Sequence, residues 1–154
     1  MQQAHTTGRE KSTRNFENLL RRNKLKVTQP RISVLNTIYS KDTATSQPEL
    51  EKAIGSHIDR VTLYRVLAVF EEKGILHKVF DLHGTATYAL CSSECSEHNH
   101  HDEHMHFTCK LCNSVYCLDE LHLPPVKLPP DFILDTVGIQ VTGTCSKCST
   151  GKGL

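Results

Sequence analysis

No apolar run in the chain reaches the roughly 18 residues of a membrane-spanning helix, so a membrane is not among the expected partners. The first residues, MQQAHTTGREKSTRN, lack the apolar core of a secretory signal. Cysteine is missing from the first 60 positions, although 7 follow later, together with 8 of the 10 histidines. Without an export signal the expected compartment is the cytoplasm, where thiols stay reduced and paired cysteines read as metal ligands. The motifs of zinc enzymes are absent too. There is no H-E-x-x-H, and no His-x-Glu is paired with Pro-Cys-x-x-Cys. A zinc hydrolase or deaminase therefore has no signature here, and no catalytic residue is assigned.

Acidic residues are scarce in one half and basic residues in the other. Residues 1–78 carry 14 Lys+Arg against 8 Asp+Glu, while residues 79–154 carry 4 against 9. The formal net charge of +1 hides this asymmetry. A basic half suits an anionic polymer, and an acidic half rich in His and Cys suits cations.

Two tight pairs dominate the acidic half, Cys109-Lys110-Leu111-Cys112 and Cys145-Ser146-Lys147-Cys148. The thiolates of two such turns can converge on one tetrahedral ion. A closed four-thiolate shell leaves no position for substrate, so the expected ion is structural Zn2+. The 32 residues between the pairs must form a small subdomain. Ser114 to Leu118 and Ile133 to Thr144 are β-like, and Pro124, Pro125, Pro129 and Pro130 leave room for only a short helix between them.

In the basic half, two helical patterns in residues 16–40 are split at Lys26 to Pro30, and Pro30 suits a first helical turn. Ser46 and Glu49 have capping-box spacing ahead of a third helix that Gly55 can end. Between Asp59 and Gly74, Leu63, Val66, Leu67 and Phe70 make a core-facing stripe that Val61 and Val69 fit poorly. Arg65 projects from the opposite face, flanked by Thr62 and Tyr64. That face is either an ordinary solvated one or a recognition surface for a DNA major groove. Ile75 to Phe80 and Thr85 to Leu90 then flank Asp81-Leu82-His83-Gly84, a hairpin signal. Short helices followed by a hairpin spell a winged helix-turn-helix.

Four motifs appear in one order: Val27-Thr28-Gln29-Pro30-Arg31, Val61-Thr62-Leu63-Tyr64-Arg65-Val66-Leu67, a His-rich stretch ending in Cys109-x-x-Cys112, and Cys145-x-x-Cys148. This order resembles the ferric uptake regulator family across roughly residues 15–149. The resemblance implies an α+β chain in which a winged-helix DNA-binding domain precedes an α/β dimerisation domain. Expected boundaries are a polar tail over 1–14, the winged helix over 15–90, a His/Cys-rich linker over 91–103 and the dimerisation and metal-binding domain over 104–149. It further implies a homodimer that binds double-stranded DNA, at AT-rich inverted repeats, when a sensing metal is bound. Tyr64 and Arg65 fall on the family's DNA-contacting positions, with Thr62 beside them. Arg31 and Arg60 are expected phosphate contacts, which position a protein without reading sequence.

His104 and His106 precede Cys109 at the spacing of the family's sensor pair, and strand alternation would put both rings on one face. Iron-type members carry a His and a Glu where this chain has Ala44 and Ala89. Cys91 and His77 instead occupy places where zinc-sensing members supply ligands. A sensor of His77, Cys91, His104 and His106 favours Zn2+ over Fe2+ or Mn2+ by ligand type, although those two metals stay open. His98, His100 and His101 read as solvated loop residues. Glu103 and Met105 replace the His and Asp of a further family site, which Cys95, Cys117, Glu120 and His122 could rebuild in variant form. The resulting expectation is a zinc-responsive repressor of metal homeostasis. The alternatives are an iron- or peroxide-responsive member of the family, a zinc-buffering protein or a zinc hydrolase.

Overall fold

The computed structural model describes residues 15–91, 104–122, 125–134 and 139–151, with backbone only for 104 and 119–122. The helices begin where the chain supplies acceptors for their unpaired N–H groups. Helix α1, Phe16–Arg22, starts at Asn15, whose side chain accepts from Asn18 N–H at 3.0 Å. Helix α2, Gln29–Tyr39, carries Pro30 in its first turn, where a missing N–H costs nothing. Helix α3, Gln47–Ile54, opens with the full capping box. Glu49 N–H donates to the Ser46 hydroxyl at 3.4 Å, and Ser46 N–H donates to the Glu49 carboxylate at 2.7 Å. Gly55 ends it at φ 69°, a conformation that favours glycine.

Helix α4, Arg60–Glu72, is capped by Asp59, which accepts from Thr62 N–H at 2.9 Å. It buries Leu63, Val66, Leu67 and Phe70, leaving Val61 exposed. These side chains join Phe16, Leu20, Val34, Leu35, Ile38 and Leu50 in one apolar core. Strands β2, Leu76–Phe80, and β3, Ala86–Leu90, form the expected antiparallel hairpin. Its turn is held by the Asp81 carboxylate, which accepts from the N–H groups of His83 and Thr85, each at 2.8 Å. A short strand β1, Thr45–Ser46, adds to the other edge of β3, giving the sheet order β1-β3-β2. Two residues are too few for a periodic signal, so this strand has no counterpart in the sequence reading.

A second sheet has the order β5-β4-β6, from β4, His104–Cys109, β5, Val115–His122, and β6, Gln140–Gly143. Strand β5 pairs antiparallel with β4, and β6 pairs parallel with it. Gly143 lies under the Phe107 ring, where an added Cβ would sit 3.1 Å from a ring carbon. A last short helix, α5, Ser146–Ser149, begins at Cys145. The β-like stretch from Ile133 to Thr144 is a strand only at its end: Ile133 and Leu134 lie outside any strand, Ile133 is exposed, and 135–138 fall outside the described residues. Among the described residues of 125–134 there is no helix.

The wing packs on the second sheet. Ala44 N–H donates to the Val115 carbonyl at 2.8 Å, the Asn113 amide to Asp81 at 2.9 Å, and the Gln140 amide to the Phe80 carbonyl at 2.9 Å. Ala44, Ala89 and Val115 are buried together at this junction, with Val79 and Cys117 against them.

Candidate metal centres and nucleic-acid interface

The two cysteine pairs converge. The donor atoms of Cys109, Cys112, Cys145 and Cys148 all lie within 4.8 Å of one another. Cys112 and Cys145 sulfurs are 3.8 Å apart, matching the edge of about 3.8 Å in a tetrahedron of Zn–S bonds near 2.3 Å. The first pair sits on the turn between β4 and β5, where Asn113 adopts φ 58° and Asn113 N–H donates to the Cys109 carbonyl at 2.9 Å. The second pair brackets the start of α5, and Cys145 N–H donates to the Cys109 sulfur at 3.4 Å. Backbone N–H groups from Cys112 and Cys145 hold the Cys109 thiol down to about 6. Cys145 is lowered too, first by the Cys148 N–H and then by the Tyr116 hydroxyl. Burial and the neighbouring sulfurs push Cys148 up to about 12. The gradient is physical, because each thiolate formed makes the next costlier until a cation balances them. Cys109 and Cys145 are buried and the set encloses one point, so the cluster fits a structural zinc.

A second convergence lies between the wing and the second sheet. His77, on β2 and only 3% exposed, faces His106 on β4 and Cys117 on β5. Its Nε2 is 3.2 Å from His106 Nε2 and 3.3 Å from Cys117 Sγ. The donors of these three residues lie within 4.8 Å of one another, a second group among the described residues able to hold a metal. Cys91 lies against the other ring nitrogen, with its sulfur 3.6 Å from His77 Nδ1. The ladder explains the approach. Cys91 N–H donates to the Ile75 carbonyl at 3.0 Å, one step past the pairing of Leu76 with Leu90. His77, Ala89 and Cys91 therefore share a sheet face.

Of the expected sensor residues, then, His77, Cys91 and His106 come together. His104 lies on β4, and its side chain falls outside the described residues. So do Cys95, His98, His100, His101 and Glu103, and the side chains of Glu120 and His122. Cys117, considered only for a different site, is the residue the sequence reading misplaced. Its signal was available: a hairpin closing across Cys109 and Ser114 pairs His106 with Cys117. At the iron-type ligand positions, Ala44 and Ala89 bury their methyl groups against Val115.

On the opposite side of the first sheet's domain, α4 presents its polar face. Tyr64 is 62% exposed, and Arg65 projects beside it. Arg60, at the helix start, holds the Glu51 carboxylate through two bonds of 3.1 and 3.0 Å, and this lowers Glu51. The Arg31 guanidinium donates to the Lys26 carbonyl at 2.7 Å. Thr62 is half-buried and spent on the cap at Asp59.

A sequence model of the Ferric uptake regulator family matches residues 22–142. The chain belongs to this family. The ferric uptake regulation protein of Neisseria gonorrhoeae is 31% identical over 136 residues, spanning 80% of this chain and 86% of its own. That of Bordetella parapertussis is 29% identical over 137 residues, spanning 83% and 92%. Among solved structures, the Vibrio cholerae ferric uptake regulator superposes with a TM-score of 0.56 at 22% identity, covering 85% of this chain and all of its own. A zinc uptake regulator complexed with zinc and DNA superposes at 0.60, also at 22% identity, over 90% of this chain and 93% of its own. At these identities the solved structures establish the α+β fold with its winged helix. Family membership makes the chain a metal-responsive regulator rather than an enzyme. Among the described residues, no helix is long and apolar enough to cross a membrane.

Proposed function

We propose that this member of the family is a zinc-responsive, DNA-binding repressor that works as a homodimer in the cytoplasm. The carrying observation is the group of His77, His106 and Cys117, because it joins the wing to the second sheet and includes sulfur. Thiolate with imidazole suits Zn2+ better than Fe2+ or Mn2+. Residues 15–90 form the DNA-binding unit, 104–149 the dimerisation unit and 91–103 the linker, with His104 and Cys91 close to the sensor. Tyr64 and Arg65 read an AT-rich inverted repeat, while Arg31 and Arg60 contact phosphates. Arg60 must exchange Glu51 for phosphate as it docks, so its net gain is smaller than that of an unpaired arginine.

A bound Zn2+ would supply a cross-link between strand β2 of the wing and strands β4 and β5. The chain's own part is to hold the donors at a spacing that exists only when wing and sheet are docked, so binding there selects one hinge angle. Moving a hinge from about 1:99 to 99:1 takes roughly 5.5 kcal/mol of differential binding, within the range of a strong zinc site.

Iron sensing is the second reading, favoured by the name ferric uptake regulation protein that the curated relatives carry. Ala44 and Ala89 stand against it, since neither offers a ligand atom. The test is DNA binding titrated with buffered Zn2+, Fe2+ and Mn2+ after the four-cysteine site is filled. Zinc alone should drive tight binding at physiological free concentrations. Equal or better response to Fe2+ would transfer the assignment to iron.

A further inference from the structure

Within the zinc-sensor reading above, on which this rests, we infer that Cys117 is a direct ligand of the regulatory ion and that Cys91 is a positioning residue holding the His77 ring. Strand register carries the first half. His106 and Cys117 are directly opposed on β4 and β5, so their side chains lie next to each other on one face. His77 reaches that face from the wing, and its Nε2 meets both. The separations are 3.2 Å from nitrogen to nitrogen and 3.3 Å from nitrogen to sulfur. Tetrahedral zinc with bonds near 2.05 Å to nitrogen and 2.3 Å to sulfur sets these edges at about 3.3 and 3.6 Å. The three donors are thus within a few tenths of an ångström of a metal shell.

The imidazole ring carries the second half. Its two nitrogens direct their bonding positions away from each other, and Cys91 is on the Nδ1 side at 3.6 Å. A ring that binds an ion through Nε2 keeps its proton on Nδ1. Metal-bound histidines regularly donate that proton to a nearby acceptor, which fixes the tautomer and the ring plane. The Cys91 sulfur is that acceptor here. His77 cannot turn both nitrogens toward one ion, so with His77 bound through Nε2 the sulfur beside the ion is Cys117.

Cobalt spectroscopy separates the two sulfurs without reference to DNA. The full-length dimer is loaded with zinc at the four-cysteine site, then titrated with Co2+ while the sulfur-to-cobalt charge-transfer band and the d–d bands are followed. The wild type should show a tetrahedral site with one thiolate. Cys117→Ser should lose the charge-transfer band, and Cys117→His should restore Co2+ binding without it. Cys91→Ala should keep the band with affinity reduced about 10- to 100-fold, as for other outer partners of metal-bound histidine. Cys91→Ser, which preserves an acceptor, should return most of that affinity. A band lost in Cys91→Ser and kept in Cys117→Ser would overturn the inference. Partial loss in each variant would also overturn it, because both sulfurs would then be ligands. Metal-dependent DNA binding in the wild type alongside either result would leave the sensor reading standing, whereas a wild type with no Co2+ site beyond the four cysteines would remove both.

Discussion

Arg65 is the residue that most directly separates DNA recognition from metal binding. It projects from the exposed face of α4, away from both metal centres. If it reads a base edge, Arg65→Ala should weaken operator binding by about 1–3 kcal/mol. Zinc stoichiometry should not change, and anisotropy with labelled operator beside metal analysis checks both. The position of Arg65 was legible from helical spacing alone, because Leu63, Val66, Leu67 and Phe70 define the buried face opposite. Cys117 was not placed so easily. Its role depends on which residue of β5 opposes His106, and strand register is set by the turn rather than by the local pattern. The Cys109–Asn113 turn sets it here. Cys91 was singled out correctly as a residue near His77, but only the ring's orientation shows which nitrogen it meets.

At the level of elements, the helices were largely readable because their ends are written in short side chains. Ser46 and Glu49 satisfy each other's N–H groups at the start of α3, and substituting Ser46 by Ala should cost about 0.5–2 kcal/mol, measurable as a shift in the denaturant midpoint. Binding of zinc to the four-cysteine site should be untouched. Strand β1 escaped notice since it owes its existence to the edge of β3 and to the Ala44 bond with Val115 rather than to its own sequence. The knuckles act on a larger element. Cys109 and Cys112 close the β4–β5 turn, and Cys145 and Cys148 hold the end of β6 and α5 against it. Cys109→Ser should therefore release one zinc and disorder the second sheet while the helical core around Phe70 and Leu35 stays folded. Amide exchange resolved by segment would show this, and uniform protection of β4 to β6 in the variant would contradict the structural role.

For the molecule as a whole, the opposed charges of the two halves anticipated their division of labour. What they could not show is how wing and second sheet meet. That contact brings together groups from distant parts of the chain: Ala44 with Val115, Asp81 with Asn113, Phe80 with Gln140, and His77 with His106 and Cys117. No local period encodes such an arrangement, although each participating strand has one. Its consequence is that the proposed sensor is assembled only by docking. Metal affinity and DNA affinity then become two readings of one equilibrium.

Linkage makes this testable, because a ligand that favours the DNA-competent state must itself bind more tightly when DNA is present, by the same factor. The measurement is the zinc affinity of the regulatory site, with the four-cysteine site already filled, in the absence and presence of saturating operator. The account predicts that operator raises zinc affinity by the factor with which zinc raises operator affinity, and that His106→Ala abolishes both effects together. Equal zinc affinity with and without operator would contradict it.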